Sequence, residues 1–322
     1  MNSPVAPAIA WNMAKRKEFD LRFNIKPEIP AVVDQIPGTV VNPKSLFPFA
    51  YNCSIFRFSG RIFLAYRWHE KRSWETSLAI AELDEKFNVK ENKRISLPGP
   101  ANDDPRLFEH KNWLYVSYVS ASKIDRTTIR YGRLIEGKEW TVEGQFQVKY
   151  GKNDGSSMEK NWVPFVWNNK IHFIYQIHTV HKVIEVDDSS VVNEHIGSPG
   201  SWIWGQMRGG TTPLKYNGGW IRFFHSRLDN EPSPNRIRYH VGALKMESNP
   251  PFSITQVCKK PVLIGSELDT LSEEERSRCR FHFKNVVFPL GAIEHNDGWI
   301  LSVGANHCSC VLVNVKEKDL IL

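Results

Sequence analysis

The stretch KNWLYVSYV, residues 111–119, sets a Lys-Asn turn ahead of a hydrophobic segment rich in aromatic and β-branched residues. A two-residue turn leading into that pattern reads as the second arm of a β-hairpin. Four more segments have the same form: GRIFLAYR (60–67), NKIHFIYQI (169–177), GGWIRFFHS (218–226) and DGWILSVGAN (297–306). With Ile62, Trp113, Ile171, Trp220 and Trp299 taken as equivalent, the intervals are about 51, 58, 49 and 79 residues, each the length of one four-stranded blade. The chain is therefore expected to be all-β, a five-bladed β-propeller.

Working outward from the anchors, each blade contains further period-two segments. The first, from 42 to about 100, holds YNCSIFRF, IFLAYRW and SLAIAELD. The later blades begin near Asp103, Glu159, Arg208 and Asn285. Residues 1–41 are rich in proline and aperiodic, and are read as an N-terminal extension that wraps the first blade or closes the ring. Residues 42–322 are read as a single propeller domain. Only LSEEERSRCR, 271–280, reads as a short helix, an insertion before the last blade.

Composition fits this architecture. At 322 residues the chain is large for one core, but each blade of a propeller packs only on its neighbours. Its 11 Trp and 18 Phe suit sheets packed face to face. The formal charge of +7 favours anionic partners, yet the basic residues are dispersed, so no nucleic-acid partner is expected. The cysteines (Cys53, Cys258, Cys279, Cys308 and Cys310) are odd in number and lack CxxC pairing. They read as reduced buried thiols, with no metal site expected. No apolar run has the length of a membrane span and no signal segment is evident, so a cytoplasmic location is expected.

About ten residues before the anchors lie Asn52, Asp104, Asn161 and the run Arg208-Gly209-Gly210-Thr211, with Asn285 a little further back from the last one. First strands of blades line the channel, so this repeat predicts a ring of polar groups at its mouth. In Asp103-Asp104-Pro105-Arg106 the proline fixes the backbone ahead of the strand, and adjacent carboxylates repel. One carboxyl is then expected to have a raised pKa and to serve as a general acid; the alternative is an Asp-Pro turn capping backbone NH groups. Glu159-Lys160-Asn161-Trp162 suits a sugar or phosphate, the indole stacking on a pyranose, or else a solvated charge pair followed by a core tryptophan. Arg208 beside paired glycines could bind an anion bidentately, or mark a tight bend with a surface arginine. At the far ends of the second strands the repeat aligns Arg67, Tyr118, Gln176, His225 and Asn306-His307.

These residues also carry a resemblance. NDDPRLF, GGTTPL with GGWIRFFHS, RYHVGALKME with NPP, and NVVFPLGAIEHNDGWILSVGANH resemble, in order, motifs of the mannoside phosphorylases and related mannosidases of glycoside hydrolase family 130. The similarity runs from about residue 52 to 313 and implies a five-bladed propeller with its site at the channel mouth. It implies that Asp104, matching the Asp of the family's Asp-Pro-Arg motif, protonates the glycosidic oxygen through a sugar hydroxyl. Phosphate then attacks the anomeric carbon from the opposite face, giving inversion. Matching positions for sugar or anion are Arg67, Arg106, Lys160, Arg208, His225 and Tyr239, with Asn52, Asn161, Asn285 and His307 completing the set taken from the ring.

The sequence also departs from that family. Asn161 replaces a carboxylate that contacts the sugar, and Tyr175-Gln176 stands where the phosphorylases carry His-Arg. Asn306-His307 replaces Ala-Asp. Losing one arginine weakens phosphate binding by roughly a few kcal/mol. Three function classes follow. The first is phosphorolysis of a β-mannoside-like bond, or its reverse. The second is an inverting hydrolase or a nucleotide-sugar-dependent glycosyltransferase, hydrolysis needing Glu267 or Asp103 as base. The third is a non-catalytic glycan-binding propeller. No cofactor is expected beyond inorganic phosphate or a sugar phosphate as co-substrate; the substrate class is an oligosaccharide or sugar phosphate, and a homo-oligomer is compatible with the sequence.

Overall fold

In a computed structural model the described residues are 38–40, 45–70, 75–121, 127–151, 159–229, 237–265 and 286–320. They are strands and turns, with one short 3-10 turn at Glu317–Asp319. The helix expected over 271–280, Asn285, Glu267, Cys279 and most of the 1–41 extension lie outside the described residues.

Antiparallel pairing groups the strands into five meanders. The first is β2 (Tyr51–Phe58), β3 (Arg61–Trp68), β4 (Ser77–Leu83) and β5 (Val89–Ser96); the second is β6 (Ala101–His110), β7 (Trp113–Ala121), β8 (Thr127–Ile135) and β9 (Trp140–Gln147). A short parallel contact between β5 and β9, Ile95 with Trp140 and Ser96 with Thr141, joins these two into one eight-stranded sheet. The third is β10 (Val163–Trp167), β11 (Lys170–Gln176), β12 (His181–Asp187) and β13 (Ser190–Gly197). The fourth comprises β14 (Gln206–Gly210), β15 (Leu214–Tyr216), β16 (Gly219–Asp229), β17 (Ile237–Met246), β18 (Ile254–Val257) and β19 (Leu263–Ile264). The fifth is β20 (Val287–His295), β21 (Gly298–Ala305) and β22 (Ser309–Lys316), with β1 (Gly38–Val40) paired to the outside of β22. The five-bladed reading counts each meander as one blade.

The turns explain why the opening repeat is visible in the sequence. Ser59-Gly60, Lys111-Asn112, Asn168-Asn169 and Asn217-Gly218 all have positive φ at both positions. Such paired left-handed residues match the right-handed twist of the flanking strands, and Asn and Gly adopt them at least cost.

The core is distributed between neighbours. Separate buried clusters lie between the first and second meanders (Phe63, Ile80, Leu107, Val116), the second and third (Phe108, Tyr131, Trp162, Phe173) and the third and fourth (Val163, Phe165, Phe224, Leu244). Others lie between the fourth and fifth (Phe223, Val241, Leu301, Val313) and the fifth and first (Cys53, Leu64, Ile300, Leu312). The cycle therefore closes, and every sheet has both faces covered, as period-two strands with few polar inner positions require. Tyr118 belongs to the first of these clusters, so its place at a strand end is a packing position and not part of a polar ring. Cys53, Cys258 and Cys310 are free and buried, whereas Cys308 is disulfide-bonded, which corrects the reading of all five cysteines as reduced thiols. No helix among the described residues is long and apolar enough to cross a membrane.

Candidate active site

The polar ring is built by backbone irregularity at the starts of the inner strands. The pairings of β2 with β3, β6 with β7, β14 with β16 and β20 with β21 each slip register near the start of the inner strand: at 51–54, 103–106, 208–210 and 289–291. A bulge re-aims the side chain at the slip. Asn52 (φ 51°) and Asp104 (φ 51°) sit in two of these slips, and Asn161 (φ 66°) precedes β10 in the same conformation. Asn and Asp tolerate the left-handed region better than other residues with a Cβ, so sequence and backbone agree at all three positions.

Asp104 is the centre of the cluster. Asn52 Nδ2 donates to its Oδ1 at 2.7 Å, Arg67 Nη1 lies 3.8 Å from the same oxygen, and Arg106 Nη1 donates to its backbone carbonyl at 3.3 Å. Arg67 also pairs with Asp103, Nε to Oδ1 at 3.0 Å, an ion pair whose N–H is not aligned as a hydrogen bond. Asp103 accepts a 2.6 Å hydrogen bond from Thr76 Oγ1. The two carboxylates are thus held by a shared cation and do not face each other unscreened. Burial pushes Asp104 up, but Arg67, Arg106, the Asn52 amide and Lys160 outweigh it and hold its carboxyl below the ordinary aspartate range. One carboxyl of the adjacent pair was expected to have a raised pKa; Asp104 is not that carboxyl, since it is ionised at neutral pH.

The neighbouring meanders complete the ring. Arg106 is buried and donates through Nε to Gly210 O at 3.0 Å, tying β6 to β14. Arg208, with Nη2 on Gln206 Oε1 at 3.1 Å, pairs in register with His225. His225 is buried, and its Nδ1 lies 2.8 Å from Gly209 O. A carbonyl can only accept, so Nδ1 carries the proton and Nε2, which has no hydrogen-bond partner among the described residues, presents a lone pair. Burial, with Arg208 and Arg106 nearby, pushes His225 down to about 3, and burial and Arg67 push His307 down to about 4, so both imidazoles are neutral. Tyr239 stacks on His225 with centroids 6.0 Å apart. A Cβ at Gly209 would fall 2.0 Å from Asn161 O, so the Gly-Gly run is needed to bring β14 against the start of the third meander.

Lys160, Asn161 and Arg208 line a cavity of about 290 Å³ together with Glu159, Tyr175, Gln176, His178 and Gln206. Trp162 is not a sugar platform: it is buried between Tyr150, Phe173 and Tyr175, and its Nε1 donates to Glu159 Oε2 at 3.1 Å. Hydrophobic burial of an indole whose one donor is satisfied outweighs exposing it. Of the expected residues, Asn52, Arg67, Asp103, Asp104, Arg106, Lys160, Asn161, Arg208, His225, Tyr239 and His307 come together through these contacts and their mutual fields. Two aromatic residues missing from the expectation belong with them. Tyr51 carries Arg67 over its ring at 4.4 Å and meets His307 edge-on at 5.9 Å; Phe288 contacts His225 (4.7 Å), Tyr239 (5.2 Å) and His307 (5.5 Å). Tyr51 directly precedes Asn52 and Phe288 lies in the NVVFP string, so both were signalled by position but not by polarity.

No family model matches the chain. A β-1,2-mannobiose phosphorylase of Listeria innocua is 25% identical over 123 residues, which are 38% of this chain and 31% of that protein; the match thus spans about a third of the relative's length. Its solved structure with β-1,2-mannobiose covers 91% of this chain and 95% of that one, at a TM-score of 0.57 and 15% identity. A structure from the family 130 of mannoside phosphorylases, described with glycoside hydrolases that target β-1,2 mannosidic linkages in Candida mannan, covers 91% and 96% at 0.61 and 13% identity. A GDP-Man-dependent mannosyltransferase of Leishmania mexicana covers 94% and 93% at 0.59 and 14% identity. The chain has the propeller-type fold of the family 130 mannoside phosphorylases, and over 123 residues its sequence is similar to one of them.

Proposed function

We propose that the chain is a carbohydrate-active enzyme that makes or breaks a β-mannoside-like bond by a single inverting displacement, with a phosphate-bearing co-substrate. The observation that carries this is the ionised Asp104 set among Arg67, Arg106 and Lys160, with Arg208 beyond them. These four cations exceed Asp103, Asp104 and Glu159 in charge, and a phosphoryl group restores the balance. In the synthetic direction an ionised carboxylate is the competent state. The acceptor hydroxyl gives its proton to Asp104 as its oxygen bonds to the anomeric carbon, and phosphate leaves from the opposite face with the electron pair of the broken bond. In phosphorolysis the same carboxyl, loaded with that proton, returns it to the glycosidic oxygen. The arginines and Lys160 stabilise the charge that develops on phosphate. Asn52, Asn161 and the Nε2 lone pair of His225 are groups suited to sugar hydroxyls.

A nucleotide-sugar donor is the second reading, favoured by one observation: the cavity beside Lys160 and Arg208 continues to Gln176 and His178, where there is room for a second phosphate. Hydrolysis has less support, because Asp103 is engaged by Arg67 and Thr76, which suits a positioning role rather than that of a base. Purified protein given mannose 1-phosphate and a panel of acceptors, then GDP-mannose, is expected to release phosphate or GDP, and Asp104→Asn to abolish that release. Undiminished turnover in Asp104→Asn would remove Asp104 from the mechanism, and no turnover with any donor or oligosaccharide would count against an enzyme.

A further inference from the structure

The third meander holds a second group of ligand-type side chains, none of them part of the ring. His172 on β11 pairs in register with Glu185 on β12, and His195 on β13 pairs with Val183, two residues from Glu185. Period two puts Val183 and Glu185 on one face of the sheet, so three adjacent strands bring His172, Glu185 and His195 to one point. Each offers one ligand atom, and the three atoms lie within 4.8 Å of one another.

The protonation pattern is that of a metal-ready site. His172 is fully buried, and its Nδ1 lies 3.0 Å from Lys170 O, so Nδ1 carries the proton and Nε2 the lone pair. That backbone acceptor is the outer-shell contact that orients a ligating imidazole. Among the described residues Nε2 has no hydrogen-bond partner, and neither has the buried Nε2 of His195. Glu185 Oε2 stands 3.7 Å from His172 Nε2, too far for a hydrogen bond, while Lys170 Nζ occupies Oε1 at 2.5 Å and leaves Oε2 unclaimed by that contact. A lone pair facing a carboxylate oxygen is repulsive unless something positive lies between them. Phe165, Trp167 and Phe252 wall His172 at 5.3, 5.9 and 5.8 Å, and Phe252 is 5.5 Å from His195, which keeps the dielectric low.

We propose that His172, Glu185 and His195 bind one divalent transition-metal ion, zinc being the best match, as a clip across the outer strands of the third meander. Two imidazoles and one carboxylate suit zinc, whereas calcium and magnesium require mostly oxygen ligands. Ligand atoms around tetrahedral zinc are about 3.3 Å apart for bonds of about 2.0 Å, so loading draws the three side chains inward by about 1 Å. Water completes the coordination from the half-buried His195 side.

The full chain, stripped with EDTA and dialysed against zinc chloride, is expected to bind one zinc per chain and to melt at a higher temperature than the stripped form. Cobalt chloride in its place is expected to give a visible d–d band. His195→Ala, at a half-buried position, should keep the far-UV circular dichroism and the stripped-form melting temperature while weakening zinc at least tenfold and losing the thermal shift. Glu185→Gln, which keeps the shape of the side chain, should do the same. The absence of bound zinc in the wild-type chain overturns the site, as does a stoichiometric zinc that survives both substitutions.

Discussion

Asn52→Gly isolates the control of Asp104. Asn52 stands at φ 51°, a conformation glycine adopts without steric cost, so the substitution removes the amide and keeps the bulge. The lost contact is the 2.7 Å hydrogen bond from Nδ2 to Asp104 Oδ1. A hydrogen bond to a charged acceptor contributes about 1.5–3 kcal/mol, so its loss disfavours the ionised carboxyl by that amount and the Asp104 pKa should rise. Arg67, Arg106 and Lys160 remain and continue to favour the ionised carboxyl against its burial. The assay is a carbon-13 titration of aspartate-labelled protein, with the Asp104 signal assigned by its absence in Asp104→Asn. A carboxyl with a depressed folded pKa contributes stability that is present above the unfolded pKa and lost as pH falls through the folded one. The thermal deficit of Asn52→Gly is therefore expected at pH 6 and should narrow below about pH 4. An Asp104 titration identical in both proteins would refute the account of how the ring keeps this group ionised.

Two further outcomes follow from other buried groups. His181, His225 and His307 are pushed down to about 4, 3 and 4, chiefly by burial, so between pH 6.5 and about 4 the unfolded chain takes up protons that the folded chain refuses. Stability should fall with pH across that window, by up to about 1.4 kcal/mol per pH unit for each histidine; a flat melting temperature between pH 6.5 and 4.5 would contradict it. Arg222 is fully buried and none of its three guanidinium nitrogens has a hydrogen-bond partner among the described residues; burial, with Arg106 nearby, pushes it down to about 9. Arg222→Met is expected to stabilise the chain by about 1–4 kcal/mol in urea unfolding, and a loss of stability would show that the guanidinium is compensated.

Much of the architecture was legible because it is local. Period-two segments and two-residue turns with Asn or Gly are properties of adjacent residues, and they marked the second strands of all five meanders. The polar ring was legible for the same reason: Asn52, Asp104 and Asn161 are of the types that accept a left-handed backbone, so they stand out at a nearly constant offset from three of the anchors. Tyr118 and Trp162 were ambiguous, since an aromatic residue at a strand end can face either a neighbouring sheet or a ligand; inter-sheet packing buried both. Tyr51 and Phe288 escaped notice because apolar rings in a polar ring have no sequence signature of their own.

By itself, then, the sequence determined the strands, their repeat and the place of Asp104, all of which depend on short-range periodicity and backbone preference. Only the tertiary structure decided the charge of Asp104. Two adjacent carboxylates in a sequence suggest a raised pKa, but the field at Asp104 is dominated by Arg67 and Arg106, the first from a neighbouring meander, and a field depends on distance in space. The same holds for His172, Glu185 and His195, which are 13 and 10 residues apart along the chain and match no metal-ligand spacing. Strand register, set by the pairing of β11, β12 and β13, is what brings them together.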